Sequence, residues 1–357
     1  MTISFKGAGI WALVTDPEGF APPADPAALD TAAGRLADTV SPALAAHMLA
    51  PAAARLGRPL VDREAATKSL LLNRFTRHVH IRWAGEIAAA DIDCVYIKGF
   101  ANAHTFYEDP DARVTGDLDM VVRRAGLDRL VTHLADQGFT FRGGTEKRWG
   151  FIADASFVPF VSADGTCNLD IHVEPDSYPL YRGLDAAALF AESEIARAGD
   201  LDIRVPCPEH ALAISISNAA KDKLGPFAAK KALDAIFLLR RGEGLDWARL
   251  DALLGRARLR RPARAFLALL IALGLPPDLV PAPMARPPGG LAAAEFARAL
   301  GAWRTLFPVE AGLGATFRRE VLLCADLPTA IHNNWLRVRG LVRPAHGTPG
   351  EAVFPGA

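Results

Sequence analysis

Three aspartates carry the chemistry that this sequence can do. Gly116-Asp117-Leu118-Asp119 sets two carboxylates two residues apart, and Asp170 follows within Asn168-Leu169-Asp170-Ile171-His172. In an extended strand, residues two apart point to one face, about 6.6 Å from each other. Asp117 and Asp119 therefore share a face, with Leu118 and Met120 on the other. The later run alternates in the same way, Leu169, Ile171 and Val173 against Asp170, His172 and Glu174. Neighbouring strands would bring all three carboxylates together. Like charges ~4 Å apart repel by about 1 kcal/mol in water and ~4 kcal/mol at an effective dielectric near 20, and a bound divalent cation reverses that sign. All-oxygen donors suit Mg²⁺, held by carboxylates together with substrate phosphates. Two such ions about 3.5–4 Å apart can activate an attacking oxygen and steady a leaving one. This is the chemistry of phosphoryl or nucleotidyl transfer. An Asp-x-Asp on a merely solvated strand face is the competing explanation. Lys98-Gly99 at the end of the preceding strand, Gly116 directly before the pair and Asp170 downstream weigh against it.

Other polar residues join this set with plainer alternatives. Arg113 precedes Asp117 by one helical turn's worth of chain and can touch a phosphate or form a structural ion pair. His172 shares a face with Asp170 and can serve an acceptor site or simply be a hydrogen-bonded strand histidine. After Pro208, a stripe of His210, Ile214, Ser217, Asn218 and Lys221 runs along a helix. Asn218 and Lys221, with Lys230 on the next helix, either face solvent or bind a triphosphate. Arg256, Arg258, Arg260, Arg261 and Arg264 form a basic cluster that could follow RNA phosphates, without the interleaved aromatics that stack single strands. His78-x-His80 lies on a helix at a spacing that does not share a face, and no H-E-x-x-H, Walker loop, dinucleotide fingerprint or nucleophile elbow occurs.

The elements that must hold these residues fall into three stretches. Helical periodicity covers Ala27–Asp38, Ser41–Leu56 and Asp62 to about Ala90, the last with an apolar stripe of Leu70, Leu71, Phe75, Val79, Trp83 and Ile87. A Pro-rich linker, Phe20–Pro26, precedes them. From Asp91 the period shortens: strands are expected at Cys94–Lys98, Leu118–Val122, Phe139–Arg142, Phe151–Val161, Asn168–Glu174 and Leu201–Val205. Short helices are expected at Phe100–Phe106 and Leu127–Gln137, and Asp164-Gly165 marks a hairpin turn. After Pro208 the pattern is helical again, broken by the Pro/Gly-rich stretch Pro276–Gly290. The expected division is an N-terminal helical segment 1–90, a mixed α/β core 91–206, a helical domain 207–343 and a loose tail 344–357.

Composition narrows the setting. The chain has 357 residues, 40 Lys+Arg against 40 Asp+Glu, and 50% hydrophobic residues, so it can build a large core and lacks a global attraction to nucleic acid. No DNA partner is expected. Cys94, Cys167, Cys207 and Cys324 are scattered without a C-x-x-C, which argues against a disulfide framework and for a reducing, cytoplasmic setting. No run of ~18–20 apolar residues predicts a membrane span.

The order Lys98-Gly99, Asp109-Pro110, Arg113, Gly116-Asp117-Leu118-Asp119, Leu134, Gly138-Phe139 and Leu169-Asp170-Ile171-His172 resembles the uncharacterised nucleotidyltransferase family of the DNA polymerase β-like superfamily. The resemblance spans about Leu70 to Leu254. It implies an α+β fold, a nucleotidyltransferase-like core with a small mixed sheet between an N-terminal helical segment and a C-terminal helical domain. It further implies transfer of an NMP group from an NTP to an unknown acceptor, with two Mg²⁺ or Mn²⁺ ions on Asp117, Asp119 and Asp170. Lys98, Gly99, Arg113, Gly116, Asn218, Lys221 and Lys230 are then the expected nucleotide-binding residues, and His172 an acceptor-site residue. Many superfamily members carry Gly-Ser or Gly-Gly at the turn where this chain has Lys98-Gly99-Phe100. Two alternatives stay open: an RNA- or peptide/protein-modifying transferase of the toxin or tailoring type, and a catalytically silent nucleotide-binding module that regulates a partner.

Overall fold

The computed structural model describes residues 10–15, 26–141, 159–241, 244–307 and 312–342. The expected linker as far as Asp25, most of the expected strand Phe151–Val161 and the tail from 344 lie outside them.

Helices α1 (Trp11–Thr15), α2 (Pro26–Val40), α3 (Pro42–Leu56) and α4 (Arg63–Ala89) open the chain. Ser41 and Asp62 cap α3 and α4, each side-chain oxygen accepting from a backbone N–H three residues on, Leu44 at 3.1 Å and Ala65 at 2.7 Å. The core follows as β1 (Cys94–Tyr96), α5 (Lys98–Phe106), β2 (Leu118–Val122), α6 (Leu127–Asp136), β3 (Thr140–Phe141), β4 (Phe160–Val161), β5 (Asn168–His172), α7 (Ala186–Ala191), β6 (Glu194–Ala198) and β7 (Leu201–Val205). The remaining helices are α8 (Pro208–Lys221), α9 (Ala229–Arg240), α10 (Trp247–Arg256), α11 (Arg260–Ala272), α12 (Ala282–Ala285), α13 (Leu291–Arg304), α14 (Leu313–Arg319) and α15 (Leu327–Val342). None of the described helices is long and apolar enough to cross a membrane, and all four cysteines are free and buried.

The sheet is mixed and five-stranded in the order β1-β2-β5-β4-β3, with β2 and β5 parallel and the other pairs antiparallel; β6 and β7 form a separate hairpin. Its two faces belong to different cores. Leu118, Met120, Val122, Leu169 and Ile171 pack with Val79, Trp83 and Ile87 of α4 and Leu130 and Leu134 of α6. Val95, Ile97 and Val121 join the larger cluster built by the C-terminal helices. The first three helices share that larger cluster: Trp11 donates from Nε1 to the Trp303 carbonyl at 2.9 Å, and the two indoles lie 5.3 Å apart. The N-terminal segment and the helical domain thus close around one core, with the sheet's second face as its wall.

One sequence expectation needs correction. The apolar stripe of α4 is buried only from Val79 onward, and Leu71 and Phe75 are more than half exposed. The first half of α4 docks through a polar face instead. Asn73 donates to the Asp111 carbonyl at 2.9 Å, and Arg74 and Arg77 grip the Asp111 carboxylate at 2.7 and 2.5 Å. The sequence pattern singles out no element at α1, α7, β6, α12 or α15.

Candidate active site

Residues 118–121 of β2 pair with 169–172 of β5 in parallel register, which sets Asp119 directly beside Asp170. Alternation sends both away from the α4/α6 core and toward the helical domain, with His172 two residues on. Asp119 and His172 are each only 4% exposed, so this face is covered and the solvated-strand explanation does not apply to it. Asp117, just before β2, is half-buried beside them.

Lys98 enters this group from the side. β1 ends at Tyr96, the Ile97 N–H donates to the Asp119 carbonyl at 3.0 Å, and Lys98 then turns with φ +57° into the first residue of α5. That left-handed backbone is uncommon for a residue with a side chain. It aims the amine at the carboxylates: Nζ lies 2.5 Å from Asp119 Oδ1, 3.9 Å from Asp170 Oδ2 and 3.2 Å from His172 Nε2. His172 Nε2 is 3.2 Å from each of the same two oxygens. Gly99 has a packing reason to be glycine, because a Cβ there would meet Thr115 Cγ2 at 3.1 Å, in the loop that delivers Asp117. Gly116 has open space around it.

Burial raises the cost of charging every group here, and the partners decide the outcome. Burial pushes the Asp119 carboxyl up, but Lys98 and His172 outweigh it and hold its pKa well below the usual range. Burial likewise opposes the Lys98 ammonium, and Asp119, Asp170 and Asp176 overcome it, so its pKa is raised. His172 is raised too: burial and Lys98 pull down, Asp170 and Asp119 push up more strongly. Asp117 goes the other way. The Asp119 charge and burial push it up to about 6, despite Lys98. Among the described residues Asp117 forms no ion pair.

The other expected residues are distributed around this centre. Arg113 is 7% exposed, and its Nε and Nη2 donate to the two oxygens of Asp234 on α9 at 2.7 and 2.8 Å, while Nη1 donates to the Val114 carbonyl. Tyr107 and Asn102 complete the Asp234 shell at 2.7 and 3.0 Å. A phosphate contact by Arg113 would require this clamp between core and helical domain to open. Lys230, half-buried one turn before Asp234, is pulled down by burial and by Arg113 and Lys231; Asp234 and Asp117 act in the opposite sense, which puts it within electrostatic reach of Asp117. Lys221 binds Asp176 at 2.5 Å. Asn218 donates to the Ile214 carbonyl at 2.9 Å and lines, with Lys98, Asn102, Arg113, Ser215 and Asp234, a cavity of about 40 Å³. The arginine cluster at the α10–α11 junction is largely engaged within the chain: Arg260 with Asp251 at 2.6 Å, Arg258 with Asp326 at 3.7 Å, Arg256 and Arg261 with carbonyls.

Two acids escaped the sequence reading. Asp176 is 2% exposed, accepts from Ser217 Oγ at 2.6 Å and from Lys221, and lowers the charge cost at Lys98; burial raises its own pKa and Lys221 and Lys98 bring it below normal. It lies four residues beyond β5, a distance at which strand alternation no longer carries information. Asp234 was hidden by its place in an otherwise helical stretch.

A second donor cluster, Glu192, Cys207 and His210, brings a carboxylate, a thiol and an imidazole within 4.8 Å of one another, as Asp119, Asp170 and His172 are. Arg249 occupies it: Nη2 contacts Glu192 and lies 3.5 Å from Cys207 Sγ and 3.4 Å from His210 Nε2, and Nη1 lies 3.8 Å from Glu209.

Asp119, Asp170 and His172 bring ligand atoms within 4.8 Å of one another, a donor set that fits a divalent cation, and Asp117 beside them has a pKa raised to about 6 and no ion-pair partner among the described residues. No curated protein matches the chain. The model of the uncharacterised nucleotidyltransferase family matches residues 49–273, from within α3 to the end of α11, so it takes in the carboxylates, Lys98 and the α8–α9 wall of the site. This chain belongs to the uncharacterised nucleotidyltransferase family.

Proposed function

We propose that the chain transfers an NMP group from an NTP to a nucleophilic acceptor and releases pyrophosphate. The observation that carries this reading is the in-register pairing of Asp119 with Asp170, with Asp117 directly before β2, in a member of a nucleotidyltransferase family. Mg²⁺ or Mn²⁺, two ions by resemblance, would be held by Asp117, Asp119 and Asp170. When bound, such a cation neutralises phosphate charge and favours the departure of pyrophosphate. Asp117 and Asp119 would anchor the triphosphate end. Asp170, with His172 beside it, would orient the acceptor and take its proton as the acceptor oxygen or nitrogen bonds to the α-phosphorus and the α–β bridging bond breaks. Gly99 and Gly116 would allow close approach of the phosphates. Lys230, near Asp117, is the best-placed ammonium of the helical domain for the triphosphate; Lys221 and Asn218 would contribute from α8. The test is a mass-spectrometric screen of the purified chain with each NTP, Mg²⁺ or Mn²⁺, and small-molecule, RNA and peptide acceptors. An acceptor heavier by one NMP, with matching pyrophosphate, supports the reading. Nucleotide binding without turnover under every condition would favour the silent regulatory module instead.

A further inference from the structure

The Lys98 amine occupies the space between Asp119 and Asp170 that a cation bridging these two carboxylates would need. It shares Asp119 Oδ1 at 2.5 Å and reaches toward Asp170 Oδ2 at 3.9 Å, and His172 Nε2 closes the same space at 3.2 Å from both oxygens. A Mg²⁺ bonded to those oxygens would lie about 2.1 Å from each, against the ammonium. The amine is not on a free arm. Its backbone is fixed in the left-handed turn that begins α5, and its Nζ is held by Asp119 at 2.5 Å. Asp117 differs from its neighbours. It carries no ion pair among the described residues, and the second oxygen of Asp119 makes none of the contacts that bind Oδ1.

We infer that the Lys98 ammonium is a built-in replacement for one of the two cations, so that the chain binds a single divalent ion, on Asp117 and Asp119, and keeps Asp119 and Asp170 bridged by its own lysine. Three carboxylates, one ammonium and one divalent ion then balance, and no second ion is needed to hold the acid pair together. Asp170 and His172 act on the acceptor next to a fixed ammonium instead of a second metal. The inference rests on the nucleotidyltransferase reading and narrows it.

Counting bound Mn²⁺ tests it. MnCl₂ is titrated into the full chain, and free Mn²⁺ is followed by its EPR signal, with and without α,β-methylene-ATP corrected for the ion that the nucleotide carries alone. One bound Mn²⁺ per chain is expected, with no spin-coupled pair, and Asp117→Asn should lose it. In Lys98→Met, which keeps the length and removes the charge, the count should rise to two; Lys98→Arg should stay at one. Two ions in the wild-type chain, or a spin-coupled pair, would overturn the inference and leave the nucleotidyltransferase reading intact. An unchanged count in a folded Lys98→Met would also overturn it. The wild-type count decides the matter even if Lys98→Met does not fold. No bound Mn²⁺ in the wild-type chain would remove both the inference and the reading beneath it.

Discussion

Two clusters in this molecule gather the same kinds of groups and end in different electrostatic states. At Asp119, Asp170 and His172 the inserted cation is Lys98, and at Glu192, Cys207 and His210 it is Arg249. The first cluster has a further carboxylate, Asp117, whose pKa stands at about 6 because Asp119 and burial oppose its charge. In the second, Arg249 also reaches Glu209, and the Cys207 thiol is pushed up to about 12, mainly by burial, so it stays protonated. A guanidinium spans several partners at once and is always charged, which suits it to closing a structural cluster. An ammonium neutralises one point and leaves the remaining charge unmatched. The unmatched carboxylate, not the number of donors, is what separates the first cluster from the second.

The largest expected effect is on Asp119. Asp119→Asn should lower turnover by at least ~10²–10³-fold and also destabilise the fold by about 3 kcal/mol, because it leaves the Lys98 ammonium without its nearest partner in a buried place. Asp117→Asn should lose as much activity yet melt at the same temperature or higher. The sign follows from its raised pKa: the folded state holds this proton more tightly than the unfolded chain, so stability falls as pH rises from about 4 to about 6, and an amide removes that loss. Melting curves of the two variants in EDTA at pH 7.5, read beside their turnover, check the split. Equal destabilisation would erase the distinction drawn between the two carboxylates.

Asp170→Asn should reduce turnover more than nucleotide affinity, since its proposed partner is the acceptor. Isothermal titration with a non-hydrolysable NTP, compared with single-turnover rates, measures the difference. A parallel fall in both would assign Asp170 to the nucleotide instead. Arg249→Met should have the opposite profile. Removal of the cation from Glu192, Glu209 and His210 is expected to lower the melting temperature by several degrees while turnover changes by less than about threefold. A collapse of activity in a folded Arg249→Met would bring the second cluster into the function.

The smallest effect is on two imidazoles. Burial pulls His210 down to about 4, so it stays neutral in the fold and costs stability as pH falls from about 6.5 toward 4. His172 is raised by its two carboxylates, so its contribution is complete below about 6.5 and fades as pH climbs through its folded pKa. NMR titration of the imidazole protons in metal-free protein should show the two moving in opposite directions from the ordinary value. Similar midpoints would mean that the two clusters are not electrostatically distinct.

Much of this was legible before folding because it depends on alternation. The period-two pattern of residues 117–120 and 168–174 fixes which side chains share a face, and the pairing of β2 with β5 then needs only adjacency. The helical character of the chain after Pro208 follows from its periodicity in the same way. The roles of Lys98, Arg113 and Arg249 do not, because an ion pair joins residues far apart in the chain and leaves no local pattern. Arg113 meets Asp234 across 121 positions, and Arg249 meets His210 across 39. The exposed Leu71 and Phe75 mark the converse failure. Their periodicity promised burial, and the Asp111 carboxylate gave that half of α4 a polar docking face.

The most direct test of the central claim follows the fate of the α-phosphorus. The purified chain is incubated with Mn²⁺ and each NTP labelled in turn on the α- or the γ-phosphate, with the acceptor pool of the mass-spectrometric screen. The expected result is α-label on an acceptor, γ-label recovered in pyrophosphate, and neither product with Asp119→Asn. Transfer of γ-label to an acceptor, or α-label transfer that survives in Asp119→Asn, would contradict it.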